Sequence, residues 1–260
     1  IRVVGKEGKN IIPGKVGNTT STFYPSLDGQ VYRGGVSETW ANINSGSGNG
    51  NNYTATDINV AYWQQNGTGS TFVNAFKGIY LFNTATIPDT DTISSATLSL
   101  YGQSKSKTGT SEQAAALVGT TTTSTSSLVN GDYQTIGTTR YADTDISYSS
   151  WSTAGYNDFT LNATGIAAIS KTGTSKFATN FEGAISGTAP NISGGTDWLT
   201  QVKCYSADQT GTTNDPKLVV VHAAVSGPTG VKTYNGLAAA STKTVNGLAI
   251  GSIKTWNGLA

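Results

Sequence analysis

Cysteine is nearly missing. Cys204 stands alone, so no disulfide can form within the chain. His222 is the only histidine, and one His and one Cys far apart in sequence do not supply the ligands of a zinc site. A catalytic thiol would want a nearby histidine, so Cys204 reads as a small buried apolar group and His222 as a structural or surface residue. Neither GxSxG nor HExxH occurs. Charge is sparse at 12%, and the net charge is +1, which leaves no electrostatic case for nucleic acid or an anionic membrane as partner. No apolar run approaches the length of a membrane span. Methionine is absent and residue 1 is Ile. The expectation is that a leader or pro-segment has been removed.

What the chain has in quantity is Gly, Thr, Ser and Asn. Thr suits strands, and Gly, Asn and Ser suit turns. The clearest strands bracket the stretch Lys77–Gly102. Gly78-Ile79-Tyr80-Leu81-Phe82 is one, and Ile93–Tyr101 is the other. In the second, Ala96, Leu98 and Leu100 alternate with Thr97, Ser99 and Tyr101. A period of two means a sheet with one buried face. The same signal appears at Ile58–Trp63, at Asn157–Asn162 and at Lys176–Glu182, where Phe177, Thr179 and Phe181 share a face. Ala114–Val118 is a further strand candidate. Asp197–Ser206 and Lys217–Ala223 read as a closing pair, with the run Leu218–Val221 expected of a strand buried on both sides or running between two packed sheets. Asp28-Gly29 is a turn signal. Ala41–Asn52 reads as a surface loop that buries little. Thr120–Ser127 reads as a long exposed connection open to O-glycosylation, and Thr164–Ser170 is the one helix expected.

In order, Asp28-Gly29…Tyr32, Gly78-Ile79-Tyr80-Leu81-Phe82, Ile87-Pro88, Ser94–Leu100, Trp151, Asp158–Asn162 and Asp215-Pro216-Lys217-Leu218-Val219-Val220 form a pattern. It resembles the DNRLRE-type domains of secreted bacterial and archaeal proteins. The resemblance covers roughly Phe23–Ala223, although the Asp-Asn-Arg-Leu-Arg-Glu signature itself does not occur. It implies a jelly-roll β-sandwich similar to carbohydrate-binding modules. The fold expected is therefore all-β, a jelly-roll β-sandwich with a small C-terminal β-hairpin repeat module. The divisions are an arm at 1–22, the sandwich at 23–225, a linker at 226–230 and the tail at 231–260.

The two ends differ from the body. Residues 1–21 carry Arg2, Lys6, Lys9 and Lys15 against Glu7, a net +3, which leaves −2 on the rest. Val3, Val4, Ile11 and Ile12 make this arm too apolar for a plain linker. It reads either as an edge strand with a loose arm or as a strand added to a neighbouring subunit. The tail repeats with a period of 11 residues: Lys232–Ala238, Lys243–Ala249 and Lys254–Ala260. Each repeat centres on Asn-Gly, the strongest short hairpin signal. The hairpins place Tyr234 opposite Leu237, Val245 opposite Leu248, and Trp256 opposite Leu259. A lone hairpin is marginal in water, so copies packed together, or on a neighbour, are expected. The repeats look like those ending phage and uncultured-bacterial structural proteins.

Chemistry is thin. Asp89 and Asp91, and Asp143 and Asp145, form D-x-D pairs that read as turns or as calcium ligands; no other cofactor is expected. Trp40, Trp63, Trp151, Trp198 and Trp256 are candidates for stacking on sugars, against core packing as the plain alternative. The function expected is a non-enzymatic structural protein, either on a virion surface as capsid decoration or fibre, or in an extracellular filament. Its partners would be itself and other virion or filament proteins. Val3, Val4, Ile11, Ile12, Tyr234, Leu237, Val245, Leu248, Trp256 and Leu259 would make inter-subunit contacts. The alternative is a carbohydrate-binding or adhesin module that meets surface glycans.

Overall fold

The computed structural model describes residues 17–224 apart from 68 and 193–195, together with four two-residue strands beyond them. Period-two segments become strands throughout. They are β1 (Thr19–Phe23), β2 (Pro25–Glu38), β3 (Gly50–Asn52), β4 (Asp57–Gln65), β5 (Phe72–Asn83), β6 (Asp91–Thr108), β7 (Ala115–Thr120), β8 (Ile136–Arg140), β9 (Tyr156–Thr160), β10 (Thr174–Phe181), β11 (Leu199–Tyr205) and β12 (Lys217–Ala224). All their pairings are antiparallel and follow the order β1-β12-β6-β11-β4-β5-β10-β7-β8, with β2 on β5, β3 on β2 and β9 on β6. The result is an all-β sandwich around one cluster of buried side chains drawn from most of the strands.

Two long strands serve more than one neighbour. β6 pairs with β12 over Asp91–Ser99, with β9 over Thr97–Tyr101 and with β11 over Gly102–Thr108. β5 carries β2 along one edge. Its other edge is shared, with β4 on Phe72–Lys77 and β10 on Ile79–Asn83. A glycine sits at each changeover. At Gly78 the N–H donates to Thr179 Oγ1 at 3.2 Å, and a Cβ would lie 2.5 Å from Tyr80 Oη. At Gly102 the N–H donates to the Gly155 carbonyl at 3.0 Å, and a Cβ would lie 1.8 Å from the Ser152 carbonyl oxygen. Backbone leaves no room for a side chain at Gly102, and the Tyr80 and Thr179 side chains fill the space at Gly78.

Several expectations need correction. β11 and β12 do not pair with each other; they lie on successive lengths of β6. Within the run Leu218–Val221 only Leu218 and Val220 are buried, while Val219 and Val221 are half-buried beside the polar edge strand β1. Its apolar run is thus one core face and one partly covered face. Asp28-Gly29 is not a turn but the middle of β2, and the glycine is there because Asn52 and Tyr53 cross it with only 2.6 Å left for a Cβ. Residues 41–52 are not a bare loop. Helix α1 (Trp40–Ser45), capped by Thr39, buries Trp40 and Ile43, and β3 follows. The expected helix is present as α2 (Ala163–Ala167), but α3 (Glu182–Ser186) and a 3-10 turn at Asn130–Gln134 accompany it. Within the Thr/Ser run, Thr122 is buried and its carbonyl accepts from Lys176 Nζ at 2.5 Å.

In the tail, β13 (Thr233–Tyr234) pairs with β14 (Leu237–Ala238), and β15 (Thr244–Val245) pairs with β16 (Leu248–Ala249). The registers Tyr234↔Leu237 and Val245↔Leu248 are those the Asn-Gly signal demands. Each hairpin is its own two-stranded sheet. Val3, Val4, Ile11, Ile12, Trp256 and Leu259 lie outside the described residues.

Gly102→Ala should destabilise the protein by about 3 kcal/mol, because its methyl group meets backbone rather than a movable side chain. Urea unfolding of the two proteins checks this. A loss below about 1 kcal/mol would mean that the 152–155 loop yields freely.

Candidate functional site

Strand pairing brings together three residues widely separated in sequence. His222 follows Leu218 and Val220 on the inward face of β12 and is 4% exposed. Its Nδ1 lies 2.6 Å from Asp91 Oδ2 on β6, and its Nε2 lies 2.9 Å from Ser21 Oγ on β1. A carboxylate only accepts, so Nδ1 carries the proton. In the neutral ring Nε2 then accepts from the Ser21 hydroxyl. These are the contacts of a Ser-His-Asp proton relay. Acyl transfer also needs paired N–H donors converging on the reacting oxygen. Ser21 lies within an extended strand, where successive N–H groups point in opposite directions, so β1 alone cannot make that pair. What the relay does mechanically is pin an edge strand through two neighbours.

A second constellation lies at Lys77, on the face of β5 shared by Ala75, Ile79 and Leu81. Helices α1 and α3 and the 130–134 turn stand around it. Lys77 is 3% exposed. Its Nζ sits 3.9 Å above the Tyr133 ring and donates to the Asn44 carbonyl at 3.4 Å. Tyr133 is held by its own hydroxyl, which donates to the Ile43 carbonyl at 2.8 Å. Burial pulls the Lys77 ammonium down to about 7. Lys77, Asn44, Trp40, Tyr133, Ile136 and Thr138 line a cavity of about 430 Å³.

A third buried charge is Asp28 on β2. Its Oδ2 accepts from the Ala207 N–H at 3.0 Å. Burial pushes this carboxyl up to about 7, against the Ala207 bond and with help from Asp208 and Asp215.

The residues singled out by sequence separate. Cys204 is buried, with Sγ 3.6 Å from Tyr80 Oη, and burial pushes its thiol up. Asp91 belongs to His222, Asp145 makes a two-armed pair with Arg140, and Asp143 accepts from Asn162 at 3.2 Å. Among the described residues no three His, Cys, Asp or Glu side chains gather as metal ligands. Trp63 and Trp151 are fully buried in the core, Trp40 is buried at the edge of the cavity beside Lys77, and Trp198 packs half-buried on Gly109. Trp256 lies outside the described residues. The aromatics that do align on a sheet face are Tyr32, Phe76 and Tyr62, cross-strand neighbours on β2, β5 and β4. Tyr32 and Phe76 stack at 4.5 Å, with Phe76 and Tyr62 at 5.1 Å, and Gln64 and Asn74 continue the row. No protein-family model matches the chain, and no curated protein matches it either.

Sequence reading missed both Lys77 and the relay. The available signals were a lysine inside the apolar run Phe76–Phe82 and a histidine in phase with Leu218 and Val220. Ser21 had none, since only strand pairing brings it to His222.

The two shifted groups oppose each other with pH. Asp28 binds a proton more tightly folded than unfolded, so its contribution is full below about pH 4 and is lost progressively as pH rises from there through about 7. Lys77 binds its proton less tightly when folded, so its cost is full below about 7 and is relieved as pH rises above it. Together they carve a minimum near pH 7, with limbs of about 2 kcal/mol each over two pH units. Urea unfolding from pH 5 to 9 checks this. Asp28→Asn should flatten the acid limb and Lys77→Met the alkaline one.

Proposed function

We propose that the chain is a non-enzymatic structural protein, displayed on a virion surface or in an extracellular filament and held there by the segments flanking the sandwich. One observation carries this reading. β1 starts at Thr19 opposite His222, and β12 ends at Ala224, so the two ends of the described body lie side by side on one sheet. A body whose two extensions emerge together can be fixed at that end while its opposite end faces outward. The paired Tyr234–Leu237 and Val245–Leu248 hairpins support the same reading. Two-residue strands hold little structure alone and gain from packing on a neighbour. The resemblance to DNRLRE-type domains and to phage-type repeat tails supports the virion or extracellular setting.

A glycan-binding or adhesin reading rests on a different observation, the row Tyr32–Phe76–Tyr62 with Gln64 and Asn74 beside it. Its weakness is that these rings stack on one another. Most of their faces are occupied by each other rather than offered to a sugar.

Light scattering coupled to size exclusion tests the assembly reading. The full chain should form oligomers, and residues 17–224 alone should be a folded monomer. A full chain that stays monomeric at high concentration would remove the reading. The non-enzymatic part has its own check. A fluorophosphonate probe should leave the mass of the folded protein unchanged, whereas an adduct on Ser21 would make the relay a working nucleophile.

A further inference from the structure

Lys77 is incompletely bonded. An ammonium has three N–H donors. Here one makes a long contact of 3.4 Å to the Asn44 carbonyl, and the Tyr133 ring lies 3.9 Å from the nitrogen. No carboxylate pairs with Lys77 among the described residues; the ion pairs there belong to Arg33, Lys107, Arg140, Lys203 and His222. A cation kept from water without an anion costs several kcal/mol. Lys77 lines a cavity of about 430 Å³, within the size range of small-molecule sites.

Unfilled donors at the wall of this space call for an anionic ligand. We propose that this cavity binds a small hydroxycarboxylate of the sugar-acid kind, its carboxylate on Lys77 Nζ and its hydroxyls towards Ser45, Gln134 and Thr138, the exposed polar side chains that line it. The cavity holds one lysine and no arginine. That balances a single negative charge and does not supply the several donors a phosphate takes. Ala41, Ala184 and the edge of Ile136 give apolar surface for the C–H face of the ligand. An arriving anion also favours the charged amine, reversing the effect of burial. The inference stands apart from the assembly reading, since it does not depend on how the ends are held.

Titration calorimetry of the full chain with sodium glucuronate, glucose and inorganic phosphate tests it. Glucuronate should bind one per chain. Glucose and phosphate should each bind about tenfold more weakly or worse, the ratio for loss of one charge-assisted hydrogen bond. Lys77→Met should fold, because it fills the same space without a charge to bury, and should lose about tenfold or more in glucuronate affinity. The Tyr133 ring-proton shifts in the unmutated protein give a readout that needs no variant, and they should move as glucuronate is added. Four outcomes would overturn the proposal: no heat with glucuronate, phosphate binding as tightly as glucuronate, undiminished binding by the folded variant, or Tyr133 shifts that stay fixed.

Discussion

The sandwich depends on two backbones passing where no side chain can stand. β6 leaves the β12–β9 neighbourhood and joins β11 at Gly102, under the loop carrying Ser152 and Gly155. β5 exchanges β4 for β10 at Gly78, under Thr179 and Tyr80. Each changeover lets one continuous strand belong to two parts of the sheet. The core can then be enclosed without breaking the backbone ladder, whose unpaired groups would otherwise be costly to bury. Thr179 is fully buried and yet polar because the Gly78 N–H has β4 on one side and β10 on the other and needs an acceptor between them.

Much of this was legible in the residues. The alternation Ala96, Leu98, Leu100 and the shared face of Phe177, Thr179 and Phe181 reported strands directly, because a half-buried sheet imposes period two. Asn-Gly spacing reported the tail hairpins with the correct register. The failures have a common cause. Trp40 and Ile43 fold a short helix out of a stretch rich in Asn, Gly and Ser, because Thr39 caps it and two apolar side chains suffice to anchor it. Asp28-Gly29 has turn composition, but tertiary crowding rather than backbone curvature selected that glycine. Local composition reports local preference; these sites answer to residues far along the chain.

The candidate sites were the least legible part for the same reason. Ser21 and His222 are 201 residues apart, and Lys77 and Tyr133 meet only when a helical turn closes over a strand. Neither arrangement has a linear motif. The buried groups also differ in kind. His222 and Asp91 satisfy one another and bind an edge strand to the core. Lys77 faces a cavity with donors unspent. Satisfied polar pairs are what stability requires; unsatisfied ones around a cavity are what recognition uses.

The antiparallel pairing of Thr19 with His222 also has a mechanical meaning. A pull applied between the two flanking segments would load the β1–β12 ladder at one end and open its hydrogen bonds in succession, as a zipper opens. A pull on both segments together against the far end would spread over the whole sandwich. The fold thus suits a body that hangs from one place and bears drag there, and it would make a poor link in a chain under tension.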